Sequence, residues 1–289
     1  MNNDTKEPAT IADLMASREA AGSQDNDYFL PTNTTDADLK STSNVPFGVM
    51  VKDRLRDANM LVPGSRLGEN FSDEYRRIKR PLLANAFGKS ASLVDQGNLI
   101  LVTSSIPGEG KTHTSANLAL SLALEKDHTV LLVDCDINKY GISQLFGIAD
   151  KPGLVEVLES DNLSISDVLL STDIPNLCLI GAGKGNGFVT ELLASQKMVA
   201  FVSELADRYE DRVIIFDGPP LLPTPQTQVL AGLVGQVVFV IETGKTPQML
   251  VNEALEMIPM EKATNLVMNK SEGLSGRGGY YYGYYGSES

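Results

Sequence analysis

Short apolar runs alternate with longer segments of helical periodicity along most of the chain. The apolar runs lie at 99–103, 130–133, 177–180, 213–216, 237–241 and 265–268. Helical patterns lie between them, for example at 112–125, 197–209 and 247–257. Continuous apolar runs of strand length are typical of parallel strands that are covered on both faces. The pattern therefore predicts an α/β fold, with a mostly parallel sheet, helices on both faces, and ligands beyond the carboxyl ends of the strands.

The two ends of the chain lack this alternation. Residues 1–60 are rich in Asp, Asn, Thr and Ser, a composition typical of segments that bury too little apolar surface to fold. Beyond residue 271 the chain consists mainly of Gly, Ser and Tyr. We therefore predict a largely disordered acidic segment at 1–60, a folded domain at 61–271 and a flexible tail at 272–289.

Composition excludes several classes of protein. The formal net charge of -13 argues against a general nucleic-acid binder, because such proteins present a positive surface to phosphates. Cys135 and Cys178 lack CxxC spacing, so neither a disulfide scaffold nor a zinc site is indicated. The apolar runs are shorter than the roughly 20 residues that span a bilayer, and the polar start of the chain does not resemble a signal peptide. We expect a cytoplasmic protein.

A glycine-rich segment follows the first apolar run and precedes a helical pattern. Gly108, Gly110, Lys111 and Thr112 supply the glycines, the lysine and the hydroxyl that a phosphate-binding loop needs for backbone approach, charge neutralisation and Mg²⁺. Position 105, where the usual pattern has glycine, is Ser105. A Gly-Lys-Thr tripeptide alone also occurs in ordinary turns, but its place between strand and helix favours a P-loop NTPase fold.

Three aspartates end two other apolar runs. Asp134 and Asp136 follow one run, and Asp217 ends another. A single aspartate at a strand end is most often a turn former or a helix cap. Three of them at the edge where phosphates would lie indicate ligands for Mg²⁺ or an acceptor for a proton.

The tail contains five of the chain's 9 tyrosines: Tyr280, Tyr281, Tyr282, Tyr284 and Tyr285. By composition such a segment is either a cluster of phosphorylation sites or an adhesive low-complexity terminus. The phosphate loop in the same chain favours the first interpretation.

These motifs together resemble the bacterial tyrosine kinases of exopolysaccharide synthesis. The resemblance rests on the run 101–112, on Asp134 and Asp136, on the turn 217–222 and on the tyrosine tail, and it covers roughly residues 70–289. The stretches 78–85 and 229–238 resemble the exosortase-associated branch of that family. Members use ATP and Mg²⁺ to phosphorylate clustered C-terminal tyrosines on a neighbouring subunit, so the resemblance implies an autokinase that acts in trans and regulates polysaccharide polymerisation and export.

The resemblance also implies roles for individual residues. It implies catalytic roles for Lys111, Asp134, Asp136 and Asp217. It also implies that Thr112, Asp134 and Asp217 are Mg²⁺ ligands. The expected ATP contacts are Pro107, Gly108, Glu109, Gly110, Lys111, Thr112, His113 and Asn269, the last of them near the adenine. The five tail tyrosines are the expected phosphoacceptors.

A predicted helix near 72–80 carries Glu74, Arg77 and Arg80, which match a family motif that packs subunits into a ring. Spacing of three keeps these side chains near one face, although a solvated charged helix is the commoner meaning of such a pattern. The resemblance implies a ring-like homo-oligomer, recruited to the inner face of the plasma membrane by a membrane polysaccharide co-polymerase that activates it. A cognate tyrosine phosphatase is a further expected partner, and nucleic acid is not.

Two alternatives remain at this point. The family usually has arginine where this chain has Asn138, followed by Lys139, so a nucleotide-binding scaffold with weak kinase activity is one alternative. The other is a P-loop ATPase switch of the partitioning or septum-positioning type. Those proteins carry an additional lysine early in the loop, where this chain has Ile106, and they do not explain the tail.

Overall fold

The computed structural model of the protein describes residues 48–62, 68–184, 190–208 and 212–271. Its centre is a seven-stranded sheet in the order β3-β4-β2-β5-β1-β6-β7. The strands are β1 Leu99–Ser104, β2 Thr129–Asp134, β3 Leu170–Ser171, β4 Leu177–Ile180, β5 Arg212–Asp217, β6 Gln236–Glu242 and β7 Ala263–Asn269. All neighbouring pairs are parallel except β3 and β4. The six predicted strands are confirmed, and β3 is a two-residue addition at one edge.

Helices cover both faces of this sheet, as predicted. They are α1 Lys52–Asp57, α2 Gly68–Phe87, α3 Lys111–Leu122, α4 Gly141–Phe146, α5 Leu154–Glu159, α6 Ile165–Val168, α7 Gln196–Arg208, α8 Gln226–Leu233 and α9 Gln248–Glu256. Short 3-10 turns lie at Ala91–Leu93 and Thr190–Ala194. Alternation along β1 sends Leu99 and Leu101 into one buried cluster and Ile100 and Val102 into the other. Helices α1 to α4 pack on one face, and α5 to α9 pack on the other.

The folded domain begins earlier than the predicted boundary at residue 61. In α1, Leu55 is fully buried beside Val51, and the Val51 amide donates a 2.8 Å hydrogen bond to the Asp173 carboxylate. Residues 48–60 therefore belong to the domain, which corrects the predicted disorder of this stretch. A helix of six residues is too short to show a hydrophobic period, so the sequence pattern did not reveal it. Residues 1–47 and the tail 272–289 lie outside the described residues.

Helix α2 presents two different faces. Tyr75, Lys79 and Leu82 are buried against the domain, where the Lys79 ammonium donates to the Ser121 carbonyl at 2.7 Å and pairs with Glu125. Glu74, Arg77 and Arg80 are exposed. The three residues of the predicted interface motif are thus available to a partner. Within the described ranges, no helix is both long enough and apolar enough to cross a membrane.

The packing of α1 predicts a large cost for Leu55→Ala. Removing a fully buried leucine side chain should lower the free energy of unfolding by about 2–4 kcal/mol, which chemical denaturation can measure. Arg56→Ala on the same helix is the control, because Arg56 is exposed and its ion pair is with exposed Asp53, so its loss should cost about 0.5 kcal/mol or less. Equal stability of the two variants would show that α1 is not part of the folded domain.

Candidate nucleotide and phosphoryl-transfer site

The phosphate loop connects β1 to α3 and depends on two glycines with positive φ. Gly108 has φ 94° and Gly110 has φ 98°, conformations that side-chain-bearing residues adopt only with strain. A Cβ at Gly110 would also collide with the Asn269 side-chain amide. At Ser105, where the usual pattern has glycine, the residue is fully buried and its carbonyl accepts the Leu222 amide at 3.2 Å. The Ser105 hydroxyl is buried and has no hydrogen-bond partner among the residues that the structure describes.

Side chains from β6 and β7 hold one side of the loop. The buried Glu109 carboxylate accepts the Ile106 amide at 2.8 Å and the Thr246 hydroxyl. Asn269 donates to the Glu109 carbonyl at 2.8 Å, and Lys270 donates to the Gly108 carbonyl at 2.7 Å. The side chains of Glu109 and Asn269, both predicted to contact ATP, therefore make hydrogen bonds that hold the loop in place. Sequence reasoning missed Thr246 and Lys270, although Lys270 directly follows a predicted site residue.

Asp217 at the end of β5 connects the sheet to α3. Its two carboxylate oxygens accept the Thr112 hydroxyl at 2.8 Å and the Ser115 hydroxyl at 2.7 Å. Burial raises the pKa of Asp217 to about 6, against the opposing effects of these two hydrogen bonds and of the Lys111 charge. Burial also lowers the pKa of Lys111, whereas the charges of Asp217 and Asp136 raise it. Ser115 was missed by the sequence analysis, and its only signal is a position one turn beyond Lys111.

Asp134 at the end of β2 lies opposite Asp217 in the strand register. One of its carboxylate oxygens accepts the Ser143 amide at 2.8 Å and the Ser143 hydroxyl at 2.7 Å, while the other, Oδ1, is buried and has no hydrogen-bond partner. Burial, and then the charge of Asp217, raises the pKa of Asp134 to about 7. Ser143 was also missed, because it lies in a short helix nine residues further along.

Three predicted acids and the predicted lysine thus meet at one edge of the sheet. Asp136 is buried, and its charge acts on Lys111 as well as on both other carboxylates. Buried carboxylates that face each other without a cation are unfavourable, and Asp134 Oδ1 offers an unsatisfied ligand position. The residues therefore fit a cation bound between protein and phosphate.

Mg²⁺ suits this arrangement better than a metal held by protein alone. Among the residues that the structure describes, no group of three or more His, Cys, Asp or Glu side chains could hold a metal ion. Mg²⁺ commonly takes one or two carboxylates and completes its coordination with water and substrate phosphates. The Thr112 hydroxyl and the two facing carboxylates of Asp134 and Asp217 supply such a partial set.

The remaining predicted residues lie around the rim of this site. His113 is exposed in the first turn of α3, and burial of part of its ring lowers its pKa. Asn138 and Lys139 are exposed beyond Asp136, and the Lys139 charge lowers the pKa of Lys111. Lys139 is therefore near enough to supply positive charge where the family arginine is missing. The five predicted phosphoacceptor tyrosines lie outside the described residues.

Comparisons with known proteins place the chain in a family. An AAA domain family model matches residues 97–259, which is more than half of the chain. Tyrosine-protein kinase YwqD of Bacillus subtilis is 31% identical over 219 residues, which cover 75% of this chain and 87% of YwqD. Succinoglycan biosynthesis transport protein ExoP of Rhizobium meliloti is 30% identical over 181 residues, which cover 61% of this chain but only 23% of ExoP.

A solved structure agrees with these relatives. The kinase domain of VpsO superposes with a TM-score of 0.58 at 28% identity, covering 72% of this chain and 100% of that domain. The match with YwqD covers most of that relative's length, and the mostly parallel sheet is that of a P-loop NTPase. The chain belongs to the family of bacterial tyrosine-protein kinases.

Proposed function

We propose that this chain is an ATP- and Mg²⁺-dependent protein-tyrosine autokinase that phosphorylates its own C-terminal tyrosine cluster in trans. One observation carries the proposal: a buried group of one lysine and three carboxylates borders a phosphate loop in a chain that also carries five clustered tyrosines at 280–285. YwqD is a relative named a tyrosine-protein kinase and the VpsO structure is a kinase domain, which supports the reaction class.

The loop residues bind and orient the nucleotide in this proposal. Backbone N–H groups of Gly108 to Thr112 surround the phosphates, and Lys111 adds a positive charge. Burial lowers the pKa of Lys111, and the charges of Asp217 and Asp136 oppose this shift. Pro107, His113 and Asn269 complete the proposed contacts, with Asn269 bracing the loop. Thr112, Asp134 and Asp217 would hold Mg²⁺, which neutralises charge on the phosphates when it is bound.

Transfer follows an in-line course. The phenol oxygen of a tail tyrosine bonds to the γ-phosphorus while the bond from that phosphorus to the β,γ-bridging oxygen breaks, and ADP leaves. The phenol proton passes to Asp136, the buried carboxylate of this group that is not proposed as a Mg²⁺ ligand. Positioning and charge stabilisation account for most of the catalysis.

We propose a ring-like homo-oligomer as the setting for transfer between subunits. The exposed Glu74, Arg77 and Arg80 share the outer face of α2, while Lys79 and Leu82 anchor the opposite face. A neighbour that packs on this outer face would bring its tail to the next subunit's site. Each added phosphate places close to two negative charges beside the buried acids, which favours release of the modified tail.

Two other functions are less well supported. A partitioning-type ATPase switch predicts nucleotide-dependent dimerisation without phosphotyrosine, and it gives no role to the tail. If Lys139 does not take the role of the family arginine, which is Asn138 in this chain, the protein would be a nucleotide-binding scaffold with weak kinase activity. The proximity of the Lys139 charge to Lys111 favours the active kinase.

The wider role that we propose is control of exopolysaccharide polymerisation and export. ExoP, a relative named for succinoglycan biosynthesis transport, supports this assignment. A membrane polysaccharide co-polymerase would recruit the chain to the inner face of the plasma membrane and activate it, and a cognate phosphatase would reverse the modification. Purification of the chain from membranes without any co-polymerase would contradict this role.

The autokinase proposal predicts phosphotyrosine at residues 280–285 when the purified chain is incubated with Mg-ATP, as mapped by mass spectrometry. Lys111→Met should reduce this signal at least about a hundredfold, because the variant lacks the buried positive charge that stabilises the phosphoryl group during transfer. Lys126→Met is the control, because Lys126 is an exposed lysine away from the loop. Absence of tail phosphate in the unmodified chain would exclude the autokinase.

The burial of Asp134 predicts that, in the absence of metal, Asp134→Asn is more stable than the unmodified chain by an amount that depends on pH. The folded-state pKa of about 7 is above the unfolded value near 3.9, so the ionised carboxylate destabilises the folded chain above pH 7. The variant should be more stable by about 1–3 kcal/mol at pH 8, and this gain should shrink as the pH falls from about 7 to about 4.

Thermal or urea unfolding at several pH values measures this effect. Asp150→Asn, an exchange at an exposed position, should show no such dependence. Added Mg-ATP should stabilise the unmodified chain more than Asp134→Asn, because the variant lacks a metal-binding carboxylate. A gain that is equal at pH 4 and pH 8 would contradict the assignment of a buried, charge-destabilised group.

The oligomer proposal predicts that the double variant Arg77→Glu and Arg80→Glu sediments as a monomer. Reversed charges on the outer face of α2 should repel the neighbour's complementary surface. Arg76→Glu is the control on the same helix, because Arg76 is exposed and pairs with Asp73. Unchanged assembly of the double variant in sedimentation velocity would rule out this interface.

A further inference from the structure

Ser143 is a buried residue of α4 whose two hydrogen-bond donors converge on a single oxygen of Asp134. Its backbone amide and its hydroxyl both donate to Asp134 Oδ2, at 2.8 Å and 2.7 Å. The other oxygen, Oδ1, is buried and has no hydrogen-bond partner among the residues that the structure describes. The two oxygens of this carboxylate therefore have different environments, and Ser143 is the cause of the difference.

A third hydrogen bond fixes the direction of the Ser143 hydroxyl. The Ala182 amide donates to Ser143 Oγ at 2.8 Å. Because an N–H group already occupies a lone pair of this oxygen, the hydroxyl hydrogen is the group that remains to point at Asp134. Ser143 is thus a donor of fixed orientation rather than a freely rotating one.

The backbone that carries the Ala182 amide is itself held in place. It directly follows β4, and the carbonyls of Gly181 and Ala182 accept the amides of Leu154 and Val155 in α5, at 2.8 Å and 3.0 Å. Ala182 is fully buried. A Cβ added at Gly181 would lie 3.3 Å from Ser143 Oγ, so the segment packs closely on the serine. The end of β4 and the start of α5 therefore fix the position from which Ser143 donates.

The carboxylate of Asp217 is arranged differently. Its Oδ1 accepts the Ser115 hydroxyl at 2.7 Å, and its Oδ2 accepts the Thr112 hydroxyl at 2.8 Å. Each oxygen of Asp217 thus already has a donor, whereas one oxygen of Asp134 has two donors and the other has none. A cation between these two aspartates would meet a wholly unpaired oxygen only at Asp134 Oδ1.

We propose that Ser143 is a positioning residue that makes Asp134 bind a cation through one oxygen, and that it thereby favours Mg²⁺ over Ca²⁺. The proposal rests on the proposed Mg²⁺-nucleotide site and adds how that site selects its metal. With Oδ2 held by two donors, only Oδ1 is available. A single oxygen suits the strict octahedral shell of Mg²⁺, whereas Ca²⁺ has a larger and more flexible shell that accepts both oxygens of a carboxylate.

Loss of the Ser143 hydroxyl should change the affinity for the two metals unequally. Ser143→Ala keeps the backbone donor but removes one of the two hydrogen bonds to Asp134 Oδ2, so the carboxylate can turn. Loss of a partner that orients a metal ligand typically lowers metal affinity by about 10–100-fold. We expect this loss for Mg²⁺, and a smaller change for Ca²⁺, because a turned carboxylate can offer its second oxygen to the larger ion.

Metal-dependent nucleotide binding tests the proposal. The unmodified full-length chain, Ser143→Ala and Ser143→Cys are titrated with Mg²⁺ and, separately, with Ca²⁺ in the presence of a fluorescent ADP analogue. The Mg²⁺ concentration for half-maximal binding should rise at least about tenfold in both variants, and the Ca²⁺ value should change by less than about threefold. Ser143→Cys is included because its thiol is a weak donor of similar size, which keeps the site filled.

Two controls separate this role from a general effect on the fold. Ser121→Ala also removes a buried serine hydroxyl, but at the end of α3 that is far from Thr112, so neither metal value should change. With a chelator present, the Kd of the ADP analogue should stay within about twofold in all variants, because the contacts of the phosphate loop are unaltered.

Three results would overturn the proposal. The Mg²⁺ value could stay unchanged in both Ser143 variants, or the Mg²⁺ and Ca²⁺ values could rise by the same factor, as expected for a merely structural serine. Nucleotide binding by the unmodified chain that does not depend on Mg²⁺ would also contradict it.

This experiment does not require phosphoryl transfer. If the unmodified chain forms no phosphotyrosine but the Ser143 variants lose their preference for Mg²⁺, the autokinase function fails while the role of Ser143 stands. If phosphotyrosine forms but the metal preference of the variants is unchanged, the role of Ser143 fails while the autokinase stands.

Discussion

The two hydrogen bonds that Asp217 accepts from Thr112 and Ser115 join the end of β5 to the phosphate loop and its helix. They hold a fully buried carboxylate facing that of Asp134, whose Oδ1 has no partner. Burial raises the pKa of both carboxylates, and the charge of Asp217 raises the pKa of Asp134 further. Without metal, the fold thus favours protonation of these two carboxylates. A bound Mg²⁺-nucleotide would stabilise their ionised forms, and this stabilisation would contribute to the binding free energy.

The order of strands divides the loop into a supporting side and a reacting side. On the side of β6 and β7, Asn269 and Lys270 bond to loop carbonyls, and Glu109 ties the loop to Thr246. On the side of β5 and β2, the carboxylates of Asp217 and Asp134 are buried, and Thr112 lines a cleft beside α1. In the proposed function, this second side is the one at which the nucleotide and the acceptor tyrosine react.

Local sequence patterns predicted the sheet, the loop and the acids. The apolar runs of β1, β2 and β5 are continuous because both faces of each strand are buried, and the aspartates at the carboxyl ends of β2 and β5 had to share one edge. Other contacts could not be predicted in this way. Lys270 meets Gly108 across 162 positions of sequence, and Val51, just before α1, meets Asp173 across 122. Ser143 and Ser115 were invisible for another reason, since a buried serine carries no periodic signal until its carboxylate partner is placed.

We propose that one subunit transfers phosphate to the tail of another. A mixture of two full-length variants tests this transfer: Lys111→Met, which keeps its tail tyrosines, and a chain with an intact loop whose five tail tyrosines are changed to phenylalanine. With Mg-ATP, mass spectrometry should find phosphotyrosine on the Lys111→Met tail in the mixture and none when that variant is incubated alone. No phosphate on that tail in the mixture, under conditions in which the unmodified chain phosphorylates itself, would contradict transfer between subunits.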